Sequence, residues 1–428
     1  MHKSLAIALL AADFLACATA HGAELRGHGG PVRAISVAPD GKTVATGSFD
    51  TRTIIWSLET GEARDVLLFH EGEVTAVAAL PNGRFASAGA DGRIAIWQTG
   101  RGEPAQILEG HTGPVADLEL SPDGSMLASA SWDTTVRLWP LAGGLARVLE
   151  GHRTNVNALA FLADATLVSA GYDATVIFWP SQAGAPPVRA IMPTPLNALA
   201  RASGDRLLVA GADGQLRLLD RRGKVQLEIP VLGKPVTALA ATPDANYLAV
   251  AGIGDGILLL DAISLSTIRT LDTSGVAVWS LAFAAGGKTL LAGGADHLVR
   301  EWNVETGERL GAAAAGRTDP MARYAGNPDA EAFRACVACH TLDPNDGNRA
   351  GPTLHGIFGR KIASVPGYHY SPAFRKMDIV WTPETVSELF ELGPNAYTPG
   401  TKMPEQTISN AEDRAALIRF LQAETRTD

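Results

Sequence analysis

The chain has 428 residues, 46% of them apolar and 19% charged, with a formal net charge of −9. That composition supplies apolar material for more than one core and lacks the basic footprint nucleic acid requires, so no nucleic-acid partner is expected. With three cysteines in the whole sequence, a disulfide-stapled framework is excluded as well.

Residues 1–20, MHKSLAIALLAADFLACATA, set Lys3 ahead of an apolar run from Leu5 to Ala18, with small residues at Ala18 and Ala20. The pattern is that of a secretory signal peptide cleaved before His21, its apolar run too short to span a bilayer. It predicts a periplasmic mature chain without a transmembrane segment. Cys17 leaves lipid anchoring as the alternative, and Asp13 interrupts the run.

From residue 27 a period of about forty residues governs the chain. GHGGPVRAISVAPDGKTVATGSFDTRTIIW (27–56) recurs at 69–97, 110–139 and 151–179. Three weaker copies follow, with Leu196, Val236 and Val276 in the place of Val32, Val74, Val115 and Val156, in steps of 42, 41, 41, 40, 40 and 40 residues. Alternation in VRAISV, TVATGS and TIIWSL predicts short strands, and Pro-Asp-Gly or Pro-Asn-Gly predicts the hairpin turns between them. Each copy reads as a four-stranded antiparallel blade. His28, His70, His111 and His152 each precede an aspartate (Asp50, Asp91, Asp133, Asp173) and a tryptophan (Trp56, Trp97, Trp139, Trp179) at fixed spacing. Repetition at four equivalent places argues for hydrogen bonding inside each blade, because metal ligands on four separate blades need not converge. Copies five to seven lack the histidine, and Leu219 and Leu260 replace the tryptophan in five and six.

These residues resemble the WD-repeat family. The resemblance implies an all-β seven-bladed propeller over 21–314, its ring fastened by the N-terminal AELRGH in preference to the later ERLGAA. No histidine cluster, Gly-rich phosphate loop or nucleophilic cysteine marks a catalytic site in this region.

Residues 315–328 lose the alternation and read as a linker. Beyond it, NPDAEAFRACVACH predicts a helix start, with Ala330, Phe333 and Val337 at near-helical spacing. Cys336-x-x-Cys339-His340 is the attachment signature of a c-type haem, two thiols adding to the porphyrin vinyl groups and the histidine reaching the iron. A zinc site would need further ligands, and a redox dithiol would need a βαβ context.

The adjoining stretches CVACHTLDPNDGNRAGPTLHGIFGRKIASVPGYHYSPAF, VWTPETVSELFE, YTPGTKMP and EDRAALIRFLQ resemble the class I cytochrome c family over about residues 322–428. The resemblance implies an all-α domain at 329–428 holding one covalent haem c on Cys336 and Cys339, with His340 the proximal ligand and Met403 the distal one. It further implies that the Pro352 carbonyl accepts from the ring N–H of His340, and that Arg360, Tyr370, Trp381 and Thr401 bond the haem propionates. Met377, His355 and His369 are the rival distal ligands. Leu389 and Phe390 stand where the family often has a tyrosine, and ELGPNAY is one residue longer. Lys361, Lys376 and Lys402 are the few lysines near the expected haem edge, a poor match for a partner that docks on a lysine ring. The expected protein is a monomeric periplasmic electron carrier rather than an enzyme, its propeller a docking platform for a redox partner. The competing expectations are a propeller-based oxidoreductase feeding the fused haem, and a gas sensor, which requires Met403 to be absent or labile.

Overall fold

The computed structural model describes residues 24–425 apart from 183, 203–205, 243, 245, 312–320, 335, 338, 344–350, 367, 369, 371–372, 400, 402 and 404–406. The expected signal segment, Cys17, His369, Lys402 and part of the expected linker lie outside the described residues.

Seven antiparallel sheets follow one another along the chain, each wound in strand order. Blade one runs Val32–Val37, Thr43–Ser48, Arg52–Ser57 and Ala63–Leu68. The innermost strands of neighbouring blades pack against one another, and that of blade seven, Val278–Ala284, packs on that of blade one, which closes the ring. Each blade alone has an exposed apolar face, so stacking is what buries it. The innermost pair of every blade bulges after its first residue, at Val32, Val74, Val115, Val156, Leu196, Val236 and Val278. The seventh of these lies two residues beyond Val276, where the sequence spacing puts it, because Thr273–Val276 is taken up in a turn closed by Val276 N–H to Thr273 O at 3.2 Å.

A device between blades shows why the bulged residue is the true repeat marker. Its successor reaches across to the carbonyl of the next blade's marker: Thr75 to Val115, Asn157 to Leu196 at 2.8 Å, Asn197 to Val236 at 3.0 Å, and Thr237 to Val278. The bulge re-aims that side chain toward its neighbour.

Both candidate closing segments are used. Leu25–Arg26 pairs with one half of Leu298–Asn303, through Leu25↔Val299, and Arg309–Leu310 pairs with the other half, through Trp302↔Arg309. Glu24 forms ion pairs with both Arg26 and Arg309, joining the two segments.

The intrablade hydrogen bonds are as the repeated residues suggest. In blade three Trp139 Nε1 donates to Ser129 Oγ at 2.8 Å, Ser129 lies 2.7 Å from His111 Nε2, and His111 Nδ1 lies 2.7 Å from Asp133. An ionised carboxylate only accepts, so Nδ1 carries the proton and the serine hydroxyl donates to Nε2. Blades one, two and four repeat the chain through Thr46, Ser87 and Ser169. Blade five replaces it with Arg217, whose buried guanidinium pairs with Asp213 and Glu228.

Beyond the propeller the chain forms α1 (Pro383–Leu392), α2 (Pro394–Tyr397) and α3 (Ala411–Glu424) among loops and 3-10 turns, so an all-α architecture is present only in part. A reciprocal Thr382–Thr385 capping box with Pro383 in the first turn starts α1, and Asn410 caps α3. The expected helix start at Asn327-Pro-Asp yields only the 3-10 turn Ala330–Phe333, because the Asp329 carboxylate bonds Arg419 of α3 at 2.8 and 2.9 Å instead of capping. α-type bonds then resume from Val337 to Phe333 and from His340 to Cys336. The core of this part is centred on Phe420, with Phe333 at 5.3 Å and Tyr324 edge-on at 4.9 Å. Met321 is buried in the same cluster, so the stretch read as linker already contributes to the C-terminal core. Among the described residues no helix is long and apolar enough to cross a membrane.

Candidate functional site

One cavity gathers most of the residues singled out in the sequence. Its lining includes Cys336, Cys339, His340, Pro352, Arg360, Tyr370, Trp381, Thr401 and Met403. Much of the remaining wall is apolar: Phe333, Leu354 and Ile357 from the turns, Val386, Leu389 and Phe390 from α1, Leu417 and Leu421 from α3.

Local structure orients each polar member. His340 Nδ1 lies 2.7 Å from the Pro352 carbonyl; a carbonyl only accepts, so Nδ1 is protonated and Nε2 holds the lone pair. Gly351 makes the close approach possible, since a Cβ there would stand 2.3 Å from the His340 ring. Thr401 is buried and its hydroxyl accepts from the Met403 N–H at 3.0 Å, fixing the turn that presents the methionine. Arg360 spends Nη1 on the His355 carbonyl at 2.8 Å and Nη2 on the Thr353 carbonyl at 2.7 Å, which ties down the loop after Pro352. Tyr370 stacks on Phe374 and meets Tyr368 edge-on at 4.7 Å. Burial pushes both phenols above their ordinary range, so they remain neutral.

Burial, and then the charge of Cys339, pushes the Cys336 thiol up to about 12. The set of two thiols, one imidazole with a lone-pair nitrogen and one thioether in an apolar cavity fits a c-type haem. Among the described residues no other group of His, Cys, Asp and Glu could hold a metal ion.

Of the rival ligands, Met377 and His355 are not in the cavity lining, and His369 lies outside the described residues. Lys361 pairs with Asp378 at 2.9 Å, and Lys376 is exposed on the turn Phe374–Lys376. Leu389 and Phe390 fill apolar wall beside Met403. Sequence reasoning missed three lining residues, Arg52 and Val66 from blade one of the propeller and Gly27 from the connection leading into it. Nothing in the sequence marks them, because Arg52 holds the same repeat position as Arg93 in blade two.

Together, ring and cavity define a propeller fused to a unit whose pocket gathers two thiols, an imidazole and a thioether. The family model described as WD domain, G-beta repeat matches residues 21–57, 61–98, 102–140, 143–180 and 265–303. The unmatched span, 181–264, contains blades five and six, where the histidine and tryptophan are both missing. A cytochrome c of Cochliobolus lunatus is 46% identical over 91 residues, 21% of this chain and 83% of that protein. Cytochrome c of Arabidopsis thaliana is 46% identical over 91 residues and 80% of its length, and cytochrome c type-1 of Ascaris suum is 44% identical over the same extent. Over that portion the chain belongs to the cytochrome c family, and it carries WD repeats besides.

Proposed function

We propose that this chain is a monomeric periplasmic electron-transfer protein carrying one covalent haem c, with its propeller as a docking platform for a redox partner. The observation that carries the reading is the convergence of Cys336, Cys339, His340 and Met403 on one cavity, with the Nδ1 of His340 committed to Pro352. Cys336, Cys339, His340 and Met403 would hold a haem here, which would supply one-electron exchange. Cys336 and Cys339 are the attachment points, and His340 offers Nε2. Pro352 holds the imidazole in one orientation and raises its basicity. Thr401 steadies Met403, while Arg360, Tyr370, Trp381 and Thr401 would offer polar contacts to the propionates. The apolar wall excludes water and so limits solvent reorganisation on electron exchange. The exported location rests on residues 1–20, with lipid anchoring at Cys17 the alternative.

The test is an optical and pyridine-haemochrome spectrum of the full chain expressed with a haem-attachment system. Expected are one covalent haem, the weak far-red band of methionine-ligated ferric haem, and no response to carbon monoxide. A haem-free product overturns the reading. Carbon monoxide binding favours a sensor, and haem reduction by a small substrate alone favours the oxidoreductase.

A further inference from the structure

The cavity is completed by a different part of the chain from the one that carries its chemistry. Cys339 Sγ donates to the Gly27 carbonyl at 3.1 Å, and Cys339 packs on a cluster shared by Val32, Val44, Ile54, Trp56 and Val66 of blade one and Leu25, Ala284, Leu291 and Val299 of blade seven. Arg52 reaches into the lining from blade one and is 7% exposed. Its Nη1 donates to the Asp50 carbonyl at 2.7 Å, and its main charge partner is the Asp50 carboxylate. Arg93 provides the internal comparison. At the same repeat position in blade two, it pairs with Asp91 and with the exposed Glu71, and is part-exposed. The repeat places both arginines alike; only Arg52 faces the cavity.

We propose that blade one is the built-in cover of the Cys339 side of the haem pocket, and that Arg52 is a positioning residue through which the propeller favours the reduced haem. The inference rests on the haem reading above. A guanidinium is always charged, and in a low-dielectric pocket a fixed cation disfavours the state of higher positive charge. One-electron reduction of ferric to ferrous iron, the electron coming from an electrode or a partner, removes one positive charge and needs no proton from Arg52. The covered edge is also closed to an outside partner, which must approach the haem from another side or dock on the propeller.

The test uses the full-length haem-loaded chain and measures the midpoint potential by spectroelectrochemistry for wild type, Arg52→Met, Arg52→Lys and Arg93→Met. Methionine keeps the apolar stem and deletes the charge; Arg52→Gln serves the same end where the methionine variant does not fold. Deletion of one such charge is expected to change the reduction equilibrium by about tenfold, or about 59 mV for one electron. Arg52→Met is expected to lower the potential by that amount at low and high salt alike, since a buried charge is weakly screened. Arg52→Lys is expected to stay near wild type, and Arg93→Met to leave it unchanged. Equal potentials in wild type and Arg52→Met, with haem attached in both, overturn the inference; absence of covalent haem from the wild type overturns the haem reading instead.

Discussion

Cys339 Sγ and the Gly27 carbonyl oxygen meet at 3.1 Å across 312 residues of sequence, so the attachment motif and the first turn of the propeller share one contact. Packing around this contact is expected to couple the two parts. Val66 lies in the same seam, beside Arg52. Val66→Lys puts a second cation there and is expected to cost about 3–5 kcal/mol as an unpaired buried charge. Calorimetry should show a single transition for the wild type and two for the variant; a single unshifted transition in both would mean the seam carries no coupling.

His340 is placed by a missing side chain as much as by a hydrogen bond. Gly351→Ala would set a methyl 2.3 Å from its ring, forcing the imidazole off the Pro352 carbonyl. Haem attachment, read as haemochrome per chain, is expected to fall about tenfold, the scale at which lost orienting contacts weaken metal sites. Unchanged yield and spectrum would show that the ring orientation is set elsewhere.

The blade hydrogen bonds make a sharper stability prediction. Ser129→Ala removes the acceptor for Trp139 Nε1 and the donor to His111 Nε2, both buried. Two unsatisfied groups are expected to cost about 2–5 kcal/mol in urea unfolding. Ser125→Ala, on an exposed turn beside Asp123, is expected to cost less than about 0.5 kcal/mol.

The pH dependence follows from carboxylates on and near the inner ring. Burial, then the Asp117 charge, pushes Glu119 up to about 8, with Arg201 opposing. Burial raises Asp117 to about 6 against the Leu159 and Leu118 amides and Arg33, and raises Glu301 to about 7. Each group binds its proton more tightly folded than unfolded, where a carboxyl titrates near about 4. Their contribution is therefore full below that value and is lost as pH rises through about 8. The sign is opposite for Asp50 and Asp133: burial pushes each up but is outweighed, at Asp50 by the His28 imidazole and then the Arg52 guanidinium, and at Asp133 by hydrogen bonds from Thr135 and His111. Both are held at about 2, and their contribution is lost in acid. The melting temperature is expected to peak near about pH 5 and decline toward about pH 8.5. Glu119→Gln should flatten the upper part of that decline, and a slope identical to wild type would assign it to other groups.

The local signals in this sequence were sufficient for a great deal. A forty-residue period, hairpin turns and His–Asp–Trp spacing specify a blade, and seven copies specify a ring, because each copy is a local unit whose exposed face only another copy can bury. Cys336, Cys339 and His340 are adjacent in sequence, and Met403 sits in a recognisable loop, so the chemistry of the site was legible too. Folding decided what adjacency does not encode. Val278 replaced Val276 as the seventh marker because a turn absorbed two residues. Asp329 gave up its cap for Arg419, 90 residues on. Both closing segments share one strand, since each pairs with only half of it. Arg52 and Arg93 are equivalent in the repeat and differ only in what packs over them. A repeat prescribes the position of a side chain within its own blade. Its neighbours across the seam come from long-range packing, and those neighbours make one arginine an ordinary surface ion pair and the other part of the cavity wall.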